Sequence, residues 1–197
     1  MMCDRARTTI LCALGALLAG CVSTPQSRFF TLNTTMNHAV ESSTLSVVVG
    51  PVSVPAAVDR PQIVVSTGPN QVRVDDFNRW ASPLQSNISR VVADNLVSIL
   101  GTPRVTVFPQ TLSTNADYQA AVDVQSFGSA LGEAATLDAV WTVRRVKDGK
   151  VQTGRTTVRE PASERGYDAL AAAHSRAVAR LSQDIAGAVR ALDGPGQ

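Results

Sequence analysis

Cysteine is absent after position 21, so no disulfide can hold the body of this 197-residue chain together. Aromatic residues are scarce, at nine (five Phe, two Trp and two Tyr), and the 18 Lys and Arg residues barely outnumber the 16 Asp and Glu residues. A formal charge of +2 leaves no basic excess to neutralise a phosphate backbone, and so few aromatics form a poor platform for stacking bases. These shortages argue against a nucleic acid as a partner.

Long apolar runs are missing as well. After position 21 no stretch reaches about 18 apolar residues, the minimum for a membrane-spanning helix. The body of the protein is therefore not expected to cross a membrane as a helix, and its length suits one globular domain or two very small ones. The first twenty residues differ, since 13 of them are apolar and two of the three cysteines, Cys3 and Cys12, lie there.

Residues for acid–base or metal chemistry are few. Only His38 and His174 could titrate near neutral pH, and we place His38 in a loop and His174 on the exposed shoulder of the last predicted helix. Neither has a second metal ligand at helical or strand spacing, so we expect both to be solvated. Motifs for a nucleophile elbow, a phosphate-binding loop, a dinucleotide turn and a zinc-binding helix are missing. The sequence thus predicts no catalytic residue, no metal and no cofactor.

Two carboxylates, Asp75 and Asp76, are adjacent in the sequence. A glycosidase uses a pair of such groups, but these two stand beside Arg73 and Arg79 at the end of a predicted strand. We predict a salt-bridged turn there rather than a catalytic dyad.

The amino-terminal segment has the pattern of a secretory signal. Arg5 and Arg7 precede an apolar stretch over residues 10–18, which at roughly ten residues is too short to span a bilayer permanently. The stretch closes on Leu18-Ala19-Gly20-Cys21, which resembles the lipobox of bacterial lipoproteins. In that class the cysteine sulfur receives a diacylglyceryl group and a peptidase cuts just before the cysteine, so the resemblance implies lipidation of Cys21. An ordinary signal peptide with a chance cysteine, or a short buried helix, stays open as the alternative.

Cleavage at the lipobox would divide the chain into a signal peptide (residues 1–20), a lipidated tether (21–27), one domain (28–193) and a frayed tail (194–197). The mature protein would hold no free thiol, which suits an oxidising periplasm. The extended tether would reach only about 20–25 Å, so the domain should lie close to the bilayer. Because lipoproteins retained at the inner membrane tend to carry Asp after the cysteine, Val22 favours the outer membrane over the inner one.

Periodicity in the rest of the chain predicts strands, a helix with an apolar stripe on one face, more strands and a second helix with a narrow, alanine-rich stripe. A turn through residues 67–70 should join the third and fourth strands into a hairpin. The last three strands should form an antiparallel meander, in which alternating apolar residues share one face and Asp148-Gly149 makes the final hairpin. The first helix should have Ser82 as its N-cap and Pro83 at its first position, and should stop at Gly101. We expect a single α/β domain, with α+β as the alternative, in which two main helices pack on a mixed β-sheet. The predicted strands span residues 28–32, 45–49, 63–66, 72–74, 104–108, 118–127, 137–146 and 151–159; the helices end near residues 100 and 192.

Two local clusters are richer in chemistry than a surface loop requires. One leads from Gly50-Pro51 to Asp59-Arg60-Pro61-Gln62, and the other is Asp76-Phe77-Asn78-Arg79-Trp80. In a structural interpretation, Asp59 or Asp76 pairs with Arg60 or Arg79 while Trp80 covers the start of the first helix. In a functional interpretation the clusters form a docking surface, since Trp and Arg are the usual anchors of interfaces.

At these residues the chain resembles the PqiC-like ABC-type transport auxiliary lipoproteins. The resemblance rests on the lipobox, the aromatic strand at residues 29–32, the stretch at residues 49–55, Asp59-Arg60-Pro61-Gln62, and Phe77-Asn78-Arg79-Trp80 ahead of Pro83-Leu84. It continues more weakly to Trp141 and so covers nearly the whole mature chain. Where the family usually has two tyrosines, this chain has Phe29-Phe30, which removes any hydrogen bond by those hydroxyls.

The resemblance implies a non-enzymatic envelope subunit that is anchored in the outer membrane through Cys21 and faces the periplasm. Its implied partners are an MCE-domain protein and inner-membrane ABC or Pqi-type components, which move lipids between the two membranes and maintain the envelope; a homo-oligomer stays open. Two other classes remain as alternatives: a lipid-binding carrier with its own pocket, and a lipid-anchored hydrolase.

Overall fold

A computed structural model describes residues 25–36, 43–109 and 116–194. Cys21 and His38, about which the sequence makes predictions, lie outside these residues. The strands within them are β1 (Arg28–Phe30), β2 (Val47–Ser53), β3 (Gln62–Gly68), β4 (Gln71–Trp80), β5 (Val105–Val107), β6 (Tyr118–Ala130), β7 (Ala134–Arg145) and β8 (Val151–Pro161), and the helices are α1 (Leu84–Leu100) and α2 (Tyr167–Asp193).

Five strands form a large sheet in the order β5-β2-β6-β7-β8. β2 runs parallel to both of its neighbours, and its buried Val47 and Val49 suit an inner strand. β6, β7 and β8 form the predicted antiparallel meander. The predicted hairpin between β7 and β8 is also confirmed, because Gly149 takes the left-handed conformation (φ 71°) that a glycine allows in such a turn.

Three further strands form a small sheet in the order β1-β4-β3. β1 is parallel to β4, and β3 and β4 form the predicted hairpin through Pro69 and Asn70. β4 is ten residues long and includes Asp75 and Asp76, so it extends well beyond the predicted residues 72–74. The predicted class, a single α/β domain with mixed β-structure and two helices, is confirmed. The strands divide between two sheets because β4 pairs with β3 on one side and with β1 on the other, and none of these three strands pairs with β2.

Both helices pack against the large sheet, α1 on β2 and β5 and α2 mainly on β7 and β8, and they contact each other. The predicted apolar stripe of α1 is buried except for Ile99, which is partly buried. The helix ends as predicted at Gly101, which is left-handed (φ 65°) and donates its N–H to the Val97 carbonyl. The predicted start is wrong by one position. Pro83 itself is the N-cap, and because the proline ring has no hydrogen-bonding atom, no side chain caps the first turn.

Helix α2 is the longest element and is rich in alanine on its buried side. Its first residue, Tyr167, packs its ring 5.8 Å from that of Phe30 in the small sheet. Its last, Asp193, accepts a hydrogen bond from the Tyr118 hydroxyl at 2.9 Å. Among the described residues, no helix combines the length and the apolar content that crossing a membrane would need.

The large sheet depends on close contact between Trp141 and Gly154, which are paired across β7 and β8. A Cβ at position 154 would overlap Cζ2 of the Trp141 ring, so we expect Gly154→Ala to displace the indole and lower the free energy of unfolding by about 1–3 kcal/mol. A Cβ added to Gly187 on α2 would meet nothing within 4 Å, so Gly187→Ala should instead stabilise by about 0.5–1 kcal/mol. Urea titration of the two variants measures both changes; a neutral or stabilising Gly154→Ala would contradict the packing.

Candidate functional site

The two sequence clusters meet at the open end of the β3–β4 hairpin. The backbone N–H of Trp80 donates to the Pro61 carbonyl at 2.7 Å, and Gln62 lies opposite Arg79 in the antiparallel register. The same end of β4 pairs with β1, where Phe29 is also opposite Arg79. The fold therefore joins residues that are about twenty positions apart in the sequence into one region of the small sheet.

Trp80 lies inside the protein rather than at its surface. Its side chain is 5% exposed and meets the Phe127 and His174 rings edge-on, with centroid distances of 6.1 and 6.0 Å. These contacts join the small sheet to β6 and α2. Trp80 is thus unavailable as a surface anchor, and within its cluster the exposed positions are the ones that could contact a partner.

His174 is fully buried, so the prediction that it lies on an exposed shoulder of α2 is wrong. Its ring stacks on Phe127 at 3.9 Å, and its Nε2 is 2.8 Å from the Ser129 hydroxyl. Its Nδ1 has no hydrogen-bond partner. Because burial penalises the charged imidazolium, the pKa of His174 falls to about 3. The small sheet covers this side of α2 through Trp80, which is why a residue beside the predicted stripe is also in the core.

This buried imidazole makes stability depend on pH. The unfolded chain takes up a proton near the ordinary histidine pKa of 6.5, whereas the folded chain does so only near pH 3, so the unfolded state binds more protons between these values. We expect the free energy of unfolding to fall by about 1.4 kcal/mol for each pH unit below 6.5. Urea titrations between pH 7 and pH 5 would measure this slope, above the range in which Asp75 titrates.

Two variants test whether His174 causes this dependence of stability on pH. The double variant Ser129→Ala/His174→Phe keeps an aromatic ring on Phe127 and should lose the dependence between pH 7 and pH 5. His38→Gln should keep it, because we predict His38 to be solvated in both states. A double variant with the wild-type slope would contradict the assignment.

Asp75 is held by hydrogen bonds, and the predicted salt-bridged turn is wrong. Its Oδ1 accepts from the backbone N–H groups of Phe77 and Asn78 and from the Asn78 side chain, and its Oδ2 accepts from the Tyr167 hydroxyl at 2.6 Å. Burial raises the pKa of Asp75, but the bonds from Tyr167 and Asn78 outweigh it and lower the pKa to about 2. These bonds shape a bulge in β4 between Val74 and Arg79 and join it to the start of α2.

The charged members of the clusters make fewer contacts than predicted. Within the described residues, no ion pair joins Asp59 or Asp76 to Arg60 or Arg79. Arg79 instead donates from Nε to the Asp76 carbonyl at 2.9 Å. The ion pair in this region that the structure does form is Arg28 with Asp168, at 2.6 Å, between β1 and α2.

A set of exposed apolar side chains on the small sheet was missed by sequence reasoning. Phe29 is 64% exposed, Val72 61%, and Val74 and Phe77 37% each. The alternation of Val72 and Val74 with polar residues in β4 could have been noticed in the sequence. It does not tell which face is buried, however, because that depends on how the small sheet packs on β6 and α2.

A groove of about 430 Å³ lies between the β1 region and α2. Phe29, Phe30 and Thr31 form one wall, and Ala171, Ala172 and Ser175 form the other. Its volume is at the low end for pockets that enclose a drug-sized ligand. Among the residues that the structure describes, no group of three or more His, Cys, Asp and Glu side chains could hold a metal ion.

A second groove, of about 280 Å³, lies at the far end of the molecule, beside the last turn of α2. It contains charges of both signs. Arg145 in it is paired with Asp148 at 2.5 Å and also donates to the Leu192 carbonyl. The lining residues are Thr44, Leu45, Arg104, Asp117, Tyr118, Arg145, Lys147 and Asp193.

Comparison with known proteins identifies the family of this chain. A family model described as the ABC-type transport auxiliary lipoprotein component matches residues 30–186. A crystal structure of a Xanthomonas campestris protein of family DUF330 superposes with a TM-score of 0.69 at 21% identity, covering 83% of this chain and 94% of that one. A crystal structure of an uncharacterised protein has the same TM-score at 22% identity and covers 84% and 99% of the two chains. No curated protein gives a significant sequence match.

Proposed function

Because the chain belongs to the family of ABC-type transport auxiliary lipoprotein components, we propose that it is the outer-membrane docking subunit of a Pqi-like system. In this role an MCE-domain protein and inner-membrane ABC or Pqi-type components carry lipids between the two membranes, and this subunit receives the distal end of the conduit. The family match carries the proposal, since residues 30–186 include β2 to β8, all of α1 and most of α2. The role needs no catalytic residue.

The anchor in this proposal is Cys21. Family membership implies a lipoprotein held at a membrane on the periplasmic side, and Cys21 closes the lipobox. Residues 25–27 are exposed and lead directly into β1. The short distance between Cys21 and β1 keeps the domain beside the bilayer, where it can meet a conduit that reaches the outer membrane. We place it there, rather than at the inner membrane, on the strength of Val22.

Asp59 and Arg60 are the residues that we propose to contact the partner. Both are exposed, and their loop is held in place where Pro61 accepts from Trp80 and Gln62 pairs with Arg79. A rigid loop loses little conformational freedom on binding, and arginine is enriched at the centres of interfaces.

Co-purification tests the docking role. The tagged, lipidated protein should recover the MCE-domain protein from detergent-solubilised envelopes, and Arg60→Ala should reduce that recovery about tenfold or more. Arg144→Ala is the matched control, because Arg144 is exposed on the large sheet away from the cluster. Equal recovery by both variants would remove Asp59 and Arg60 from the interface. Failure of the wild-type protein to recover any MCE-domain protein would contradict the docking role itself.

A lipid-binding carrier is the second candidate, and the groove beside β1 is the observation that favours it. At about 430 Å³ and open to solvent, the groove could cover part of an acyl chain but does not enclose a two-chain phospholipid. Mass spectrometry of the purified protein, produced without its own acyl anchor, separates the two functions. Stoichiometric phospholipid would support the carrier, whereas a docking subunit should be recovered empty.

A further inference from the structure

We propose that the outer face of the small sheet rests on the bilayer in which the lipid anchor is inserted. The inference builds on the proposed anchoring through Cys21 and adds an orientation: the small sheet lies against the membrane and the far end of α2 points away. Four observations lead to it: the strand register, the exposure of apolar side chains, the position of the tether and the charge on the face.

The register separates the two faces of the small sheet. Phe30 is opposite Trp80, and both are buried; Val65, also buried, is on this inner face as well. Alternation along each strand then places Phe29 and Val74 on the outer face. The residues of the outer face are Phe29, Gln62, Val64, Ser66, Val72, Val74 and Arg79.

This outer face is unusually apolar for a surface. Seven large apolar side chains are exposed in the described chain, and four of them lie in this one sheet: Phe29, Val72, Val74 and, in the bulge of β4, Phe77. Single exposed apolar residues are common, but a cluster on one small sheet marks a surface that contacts an apolar partner or a membrane. The other three are Phe108, Val146 and Val151, which lie in or beside the large sheet.

The tether identifies the membrane as the occupant. Phe29 is eight residues after Cys21, so about 26–29 Å of extended chain is the greatest distance that can separate it from the lipidated sulfur. A link this short holds the face at a millimolar effective concentration near the bilayer. Weak apolar contact is then enough to orient the domain, since the acyl chains already supply the affinity. A protein partner or a second copy would have to compete with lipid that the tether keeps in place.

The charge on the face fits a lipid surface. Arg79 lies on the outer face between Phe29 and Gln62; it is half-buried, and its Nε donates to the Asp76 carbonyl, which leaves the two terminal nitrogens of its guanidinium to meet lipid phosphates. Arg60 is exposed in the loop that precedes β3. Two carboxylates, Asp59 and Asp76, are exposed close by in the sequence, so the region is close to neutral overall. Apolar contact rather than charge should therefore supply most of the attraction between this face and the bilayer.

Depth-dependent fluorescence quenching tests the orientation in the full-length lipidated protein. Acylation of Cys21 removes the last thiol of the mature chain, so an added cysteine can be labelled alone. Val72→Cys and Val151→Cys provide matched sites, exposed by 61% and 54%, on the small sheet and on the far hairpin. Each is labelled with the fluorophore NBD in vesicles of phosphatidylethanolamine and phosphatidylglycerol. A spin-labelled lipid should quench position 72 at least about threefold more than position 151.

The possible outcomes are distinct. Equal quenching at the two positions would overturn the proposal. It would also be overturned if the NBD group at position 72 became shielded from water only when the MCE-domain protein is added. Shielding that rises with protein concentration in detergent would assign the face to a second copy instead. In a Phe29→Ser/Val74→Ser background, quenching at position 72 should fall while the protein still sediments with vesicles. If the wild-type protein did not sediment with vesicles, anchoring through Cys21 would be contradicted instead.

Discussion

Trp80→Ala should lower the free energy of unfolding by about 3–5 kcal/mol, the range for removing a large buried aromatic. The indole connects three elements, because it belongs to β4 and meets Phe127 of β6 and His174 of α2. Its removal leaves a cavity in the contact between the two sheets and exposes an imidazole whose neutral form depends on burial. A domain of ordinary stability would retain little of its free energy of unfolding after this loss.

Urea unfolding followed by circular dichroism measures this effect. Phe77→Ala is the matched control, because Phe77 lies in the same strand and is 37% exposed; we expect it to cost less than about 1 kcal/mol. A Trp80→Ala protein as stable as the Phe77→Ala protein would show that the indole is not part of the core. Reduced partner binding by Trp80→Ala alone would not identify an interface residue, since partial unfolding has the same consequence.

Cys21→Ala, joined to a secretory signal peptide whose cleavage needs no cysteine, should move the protein from the membrane to the soluble fraction. The proposed acyl chains supply the binding energy, at about 0.8 kcal/mol for each buried methylene, and a weak contact by the small sheet cannot replace several chains. Fractionation of cells into soluble and membrane fractions measures the change, and intact mass spectrometry detects the lipid. We expect a matching loss of detergent resistance in cells that carry only this variant.

Cys12→Ala provides the control for this prediction. Position 12 falls in the predicted signal peptide, so the substitution should leave both the mature protein and its membrane attachment unchanged. A Cys21→Ala protein that still sediments with membranes, or that retains full envelope function when soluble, would contradict the role given to the anchor.

The local elements were predictable because their signals are local. The apolar residues of α1 recur every three or four positions, Gly101 stops that helix, and Gly149 makes the β7–β8 hairpin. Alternation along β6 and β7 predicted their buried face correctly. Each of these signals depends on residues that are close together in the sequence. The packing of the rest of the molecule favours the same elements.

The arrangement of the two sheets was not predictable, and the errors at the site follow from that. His174 lies beside the alanine stripe of α2, and it is buried between Phe127 and Ser129 of β6 and Trp80 of β4. Asp75 was predicted to pair with a neighbouring arginine, but Tyr167, 92 positions away, is its partner instead. In both cases the decisive contact joins the small sheet to α2, and no short window of sequence contains it.

The length of α2 sets the distance between two ends of the domain. The helix begins beside the small sheet and ends beside Tyr118, and its 27 residues rise about 1.5 Å each, so its two ends are about 40 Å apart. With the small sheet on the bilayer, the charged groove around Arg145 lies on the periplasmic side, at most about that distance beyond the small sheet. The helix then connects the membrane-facing part of the domain to a groove that faces the periplasm.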